Sequence, residues 1–130
     1  MNESTRKGGL TLTNRALSAR TAVLEVAGRM NAVTAPALRA RVEELIEQGR
    51  PEIVCDLAGV TFLDSSGLAG LVVAIKAAAS GAGSLKIAAS SEAARLMFRM
   101  TGLDAVLELH PSVESVLGLG AVAQALPRAA

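Results

Sequence analysis

The sequence predicts an α/β domain of two layers, one β-sheet with its helices gathered mainly on one face. Three observations carry this. Strand-like and helix-like segments alternate along most of the chain. Each strand after the first sets apolar residues on one side against a single charged residue on the other. Glu25 opposes Leu24 and Val26, Asp56 opposes Ile53, Cys55 and Leu57, Lys86 opposes Leu85 and Ile87, and Glu108 opposes Leu107 and Leu109. A doubly wound sheet, covered on both sides, would instead show continuous apolar strands. Finally, 130 residues with 51% hydrophobic side chains suffice for one core. That core is aliphatic, because Phe62 and Phe98 are the only aromatic residues.

The elements follow in order. Residues 1–9 are polar and end in Gly8-Gly9, which reads as a mobile arm. Leu10-Thr11-Leu12 and Thr21-Ala22-Val23-Leu24-Glu25-Val26 read as a hairpin joined through 14–20. A helix is predicted over 34–48: Thr34 can cap it and Pro36 suits its first turn. Leu38, Val42, Leu45 and Ile46 form its apolar face, and Gly49 ends it. A strand follows at 52–57. The next helix, 66–79, turns Leu68, Leu71, Val72 and Ile75 inward and closes at Gly81 and Gly83. A strand at 84–89, a helix at 91–100 with Gly102 just past it, a strand at 106–109 and a helix at 112–123 complete the pattern. One domain, 10–124, is the simplest division, with 125–130 as a short tail holding Pro127.

Composition excludes several function classes. Thirteen basic and twelve acidic residues are spread along the chain, so the basic stripe that nucleic acid requires is missing. The longest apolar stretch, 68–79, is broken by Lys76 and is too short for membrane insertion. The polar N-terminus does not resemble a signal peptide, and the single Cys55 can form no internal disulfide; both point to the cytoplasm. One Cys and one His make no metal-ligand cluster, and Gly81-Ala82-Gly83 is a turn and not a phosphate cradle, so no cofactor is implied. Cys55, mid-strand on the apolar side, reads as a packed core thiol. Met97, Phe98 and Met100 read mainly as core; the alternative is an apolar patch used by a partner or a weak homodimer.

The most informative segment is Leu63-Asp64-Ser65-Ser66-Gly67-Leu68, where a strand-like run stops at an acid and two hydroxyls and resumes as a helix. Asp and Ser cap helix N-termini, which leave backbone N–H groups unpaired and carry the positive end of the helix dipole. An exposed hydroxyl there is suited to carry a phosphate. From the residues alone, Ser65 and Ser66 are hard to separate as acceptors; one arrangement turns Ser66 to the helix as its cap and leaves Ser65 exposed. A catalytic Ser-His-acid triad needs His110 beside Ser65, whereas His110 reads as an exposed strand-end residue.

With Ile53-Val54-Cys55-Asp56-Leu57 before it, this segment resembles the STAS-domain anti-sigma-factor antagonists of bacteria. The resemblance runs from about Thr21 to Val116, and takes in Gly28, Thr34, Pro36 and Arg99-Met100-Thr101-Gly102-Leu103. It implies a mixed β-sheet of four to five strands with about four helices mainly on one face. It implies a phosphorylation-switched binding protein that is not an enzyme. When Ser65 is unphosphorylated, such a protein sequesters a GHKL-type serine kinase that doubles as an anti-sigma factor, and a sigma factor is released. A PP2C-type phosphatase restores the serine. Ser65 matches the family's phosphoacceptor, with Ser66 the second choice, and Asn31, Thr34, Asp64, Ser65, Ser66, Gly67 and Leu68 fall on the implied partner face. One departure stands out: the family often has Asp where this chain has Asn31. A STAS subunit of a lipid or solute transport complex, or of a stress-signalling complex without a phosphoswitch, is the alternative role.

Overall fold

The computed structural model describes residues 3–105, 107 and 109–117. Six strands form one sheet in the sequential order β1-β2-β3-β4-β5-β6: β1 (Glu3–Lys7), β2 (Leu10–Ala16), β3 (Thr21–Met30), β4 (Glu52–Leu63), β5 (Ser84–Ala88) and β6 (Leu109–His110). The first three pair antiparallel, and β3 to β6 run parallel, so the sheet is mixed. The helices are α1 (Ala35–Glu47), α2 (Ser65–Ser80), α3 (Glu92–Thr101) and α4 (Val113–Leu117).

The topology explains why helices gather on one face. Crossovers between parallel strands are right-handed, and here all three advance the sheet in the same direction. They therefore place α1, α2 and α3 on the same side. Between them and the sheet lies one core, with Leu24 of β3, Cys55 and Leu57 of β4, Leu38 of α1, Leu71 of α2 and Phe98 of α3 all fully buried. The charges behind the two-layer prediction stay on the other side: Glu25 and Asp56 are half-buried and Lys86 is exposed. That second face is not bare, because Val116 and Leu117 at the end of α4 share a groove with Glu52, Val54 and Lys86.

The structure corrects several expectations. Residues Glu3–Lys7, read as part of a mobile arm, form β1, which brings the strand count to six. Lys7 pairs with Leu10 across Gly8-Gly9, whose φ angles of 57° and 89° make a two-residue hairpin turn. The hydroxyls of Ser4 and Thr13 meet across the pair at 3.0 Å. Strand β4 runs to Leu63, past the expected end at Leu57, and its register against β3 shifts between Glu25 and Ala27. There Asp56 Oδ1 accepts from the N–H of Ala58 at 2.9 Å, which bends the chain into an irregularity. The strand expected at 106–109 is shorter and later: Leu103–Ala105 is a 3-10 turn, and the strand is Leu109–His110. Of the expected final helix, Val113–Leu117 is observed; its continuation to 123, the tail 125–130 and the side of the sheet taken by Glu108 lie outside the described residues.

Candidate functional site

Strand β4 delivers the Asp64-Ser65-Ser66 junction at its end. Asp64 is the N-cap of α2, in extended conformation, and its Oδ1 accepts from Gly67 N–H at 2.8 Å. The cap is thus the acid, and both serines, the first two residues of the helix, are exposed. This corrects the arrangement in which Ser66 turns inward as cap. With Gly67 satisfied, the N–H groups of Ser65 and Ser66 remain without an intrahelical partner.

The segment that leads into α1 lies beside this helix start. Asn31 Oδ1 accepts from Val33 N–H at 3.0 Å and from Thr34 N–H at 3.1 Å, closing a side-chain turn. Thr34, expected to cap α1, makes no side-chain cap bond. Its hydroxyl instead accepts from Asn31 N–H at 3.0 Å and donates to the Arg29 carbonyl at 2.8 Å, pinning the turn from beneath. Gly67 joins the two parts: a Cβ there would overlap the Met30 carbonyl, so only glycine lets α2 approach this closely. Gly70 repeats the device one turn on, where a Cβ would overlap that of Ala35. The structure thus brings all seven predicted partner-face residues to one locality. Asn31 and Asp64 are half-buried, and Ser65 and Ser66 are exposed. Thr34, Gly67 and Leu68 are buried and support the surface from below.

Three neighbours escaped the sequence reading. Arg29 lies over the ring of Phe62, its guanidinium carbon 4.1 Å from the centroid. Val33 is an apolar side chain 74% exposed. Cross-strand stacking has no signature within one strand's sequence, but Val33 does have one: it falls just outside the periodic apolar face of α1.

The other candidate chemistries find no geometry. Asp56 of β4 lies level with Ala88 and hence with His110, two strands away. From Asp56, β4 runs on for seven residues before Asp64, which at about 3.3 Å per residue carries Ser65 roughly 20 Å beyond His110. No triad forms. Cys55 is fully buried, and burial, helped by the neighbouring Asp56 charge, pushes its thiol up to about 12. It is a core side chain. Among the described residues no group of acids, His and Cys could hold a metal ion. Phe98 is core, whereas Met100 is 72% and Leu96 49% exposed on the outer side of α3.

A family model for the STAS domain matches residues 14–116. The chain belongs to the STAS domain family. This STAS domain is 33% identical over 91 residues to the anti-sigma-B factor antagonist of Bacillus subtilis (strain 168), covering 70% of this chain and 83% of that one. A crystal structure of an anti-sigma factor antagonist from Mycobacterium paratuberculosis is 30% identical, with a TM-score of 0.70 over 83% of this chain and 91% of its own. The phosphorylated form of the Bacillus cell fate determinant SpoIIAA shares the fold at 20% identity, with a TM-score of 0.61 over 82% of this chain and 96% of that one.

Proposed function

We propose that this STAS domain is an anti-sigma-factor antagonist, a cytoplasmic, non-enzymatic binding protein switched by phosphorylation of Ser65. The observation that carries the reading is the exposed Ser65 at the first position of α2, beside a helix cap that Asp64 already completes. The 33% identity to the anti-sigma-B factor antagonist supports the choice of partner class. The partner is an anti-sigma factor that is also a GHKL-type serine kinase, and a PP2C-type phosphatase reverses its action.

The switch acts on the complex and leaves the fold alone. Phosphorylation adds roughly −1.5 to −2 charges. The helix dipole and the N–H groups of Ser65 and Ser66 accommodate an anion in the free protein. In a close-packed interface the same group loses its hydration and meets any acidic partner side chain, at a cost on the order of several kcal/mol. At about 1.4 kcal/mol per tenfold, binding is lost.

The test has two steps. Affinity purification of the tagged protein from its native host, with mass spectrometry, should recover a GHKL-type kinase; recovery of an ABC-type ATPase in its place would favour the transport role. The recovered kinase should then label Ser65 and leave Ser65→Ala unlabelled. Labelling of Ser66 alone would move the site.

A further inference from the structure

We propose that the partner of this STAS domain presents carboxylates around an apolar socket, which receive Arg29 and Val33 at the end of the sheet where α2 and Ser65 begin. This rests on the proposed function for the partner's identity, but its chemistry comes from this chain's surface. The segment 29–34 is walled on one side by α2, through the Gly67–Met30 approach, and on the other by the β1–β2 turn. A Cβ on Gly8 would lie 3.3 Å from Thr34 Cγ2 and 3.7 Å from Val33 Cγ1, and one on Gly9 would lie 3.7 Å from Arg29 Cδ. Arg29 N–H also donates to the Gly9 carbonyl at 3.1 Å. Val33, Arg29 and the turn are therefore neighbours, and the Gly67–Met30 approach sets the start of α2, with Ser65, at the same end of the sheet. The turn and β1 precede the residues that the family model matches, which begin at residue 14.

The charge of that surface sets the partner's sign. Arg15, Arg20, Arg39 and Arg41 each lie within 4 Å of a glutamate, whereas Arg29, like Arg6, Arg50, Arg95 and Arg99, has no ion-pair partner among the described residues; Arg29 is the one of these stacked on a ring. Stacking on Phe62 holds its guanidinium in place, so little side-chain entropy remains to be lost when a carboxylate arrives. Asn31 contributes no charge. Asp64 is the local acid, and it is half-buried and engaged with Gly67 N–H at the positive end of α2. Val33, 74% exposed and fixed by the Asn31 turn, is the apolar contact. A cation and an aliphatic side chain held rigidly together fit an acidic, apolar partner surface. Phosphorylation of Ser65 then adds negative charge at the end of the sheet where the partner's carboxylates approach.

Titration calorimetry of the full chain against the recovered anti-sigma factor, at two salt concentrations, tests this. Arg29→Glu should weaken binding at least tenfold and flatten the salt dependence, while Arg29→Lys, which keeps the charge but loses the planar stack on Phe62, should weaken it less and keep the salt dependence. Asn31→Asp is the decisive variant. It keeps the oxygen that accepts from Val33 and Thr34, so the turn survives, and it adds only a charge. It should weaken binding about fivefold or more. Tighter binding by Asn31→Asp, or unchanged binding by Arg29→Glu, overturns the acidic-partner inference. If Ser65→Asp still abolishes binding in that case, the proposed function stands without it. If the wild-type protein binds no anti-sigma factor at all, both fall together.

Discussion

Asp64 and Gly67 are bound to each other twice over in what they do. The Asp64 carboxylate accepts from Gly67 N–H at 2.8 Å and starts α2, while the missing side chain of Gly67 lets that start rest on the Met30 carbonyl. One residue orients the helix end that carries Ser65, and the other sets its distance from the segment 29–34.

Removing the cap should cost stability without moving the site. Asp64→Ala loses the bond to Gly67 N–H, worth about 1 kcal/mol. For a chain of this size that lowers the melting temperature by roughly 4 °C. Asp64→Ser, which caps by the same geometry, should recover most of the loss. Thermal unfolding followed by circular dichroism reads both; a melt unchanged by Asp64→Ala would show that the cap carries no weight.

The close approach should be more sensitive than the cap. Gly67→Ala forces a methyl against a backbone oxygen that cannot rotate away, and Gly70→Ala forces one against Ala35 Cβ. Each should destabilise the fold by roughly 1–3 kcal/mol through overpacking. Gly67→Ala should in addition shift the amide resonances of Asn31, Val33 and Thr34, because α2 must retreat from that segment. Chemical denaturation and amide spectra of the two variants separate these effects.

A negative charge at Ser65 should leave the free protein intact. Ser65→Asp puts a carboxylate in the first turn of α2, where the dipole favours it by about 0.3–1 kcal/mol, offset by repulsion from Asp64. The expected unfolding free energy is within ~0.5 kcal/mol of wild type, while affinity for the anti-sigma factor falls by tenfold or more. A Ser65→Asp protein that unfolds easily would mean that the switch works by loosening the domain.

The parts legible in the sequence were those in which one local signal sufficed. The charge alternation at Glu25, Asp56 and Lys86 marked the less covered face, and Asp64-Ser65-Ser66 marked the start of α2. Strand β1 was missed because its polar residues show no alternation, although Gly8-Gly9 between two runs is itself a hairpin signal. The length of β4 was hidden because Ala58-Gly59 interrupts the apolar run, where the chain bends and continues. Thr34 does not act as the expected cap because its hydroxyl already accepts from the Asn31 N–H, a competing local donor, and donates to the Arg29 carbonyl. The stack of Arg29 on Phe62 depends on parallel register, which no single segment encodes.

Cys55 gives a pH dependence with a definite sign. Its thiol is raised from 9.0 to about 12 by burial and by the neighbouring Asp56. The folded state thus holds a proton that the unfolded chain releases above pH 9. The contribution is fully present below pH 9 and is lost as pH rises towards 12. Stability should therefore decline with pH in that window, and Cys55→Ala, less stable at neutral pH, should show a flatter decline. Alkylation at pH 8 should be slow in native protein and fast in denaturant; rapid native alkylation would contradict the buried thiol.

Arg41 ties the strand that the sequence concealed to the helix behind it. It is 5% exposed in α1, and its guanidinium donates to Asn14 Oδ1 of β2 and Thr5 Oγ1 of β1 while lying 3.4 Å from Glu44. A buried Arg so engaged is costly to truncate, because Asn14, itself 5% exposed, loses its partner. Arg41→Ala should cost roughly 2–3 kcal/mol. Arg41→Lys should recover only part, since one ammonium cannot reproduce a planar fork that serves two strands. Hydrogen exchange localises the effect: the amides of β1 should lose protection well before those of β4 and β5. Uniform loss of protection across the sheet would instead mean that Arg41 supports the core as a whole. The β1–β2 turn that borders Arg29 and Val33 would then be held by its own pairing alone.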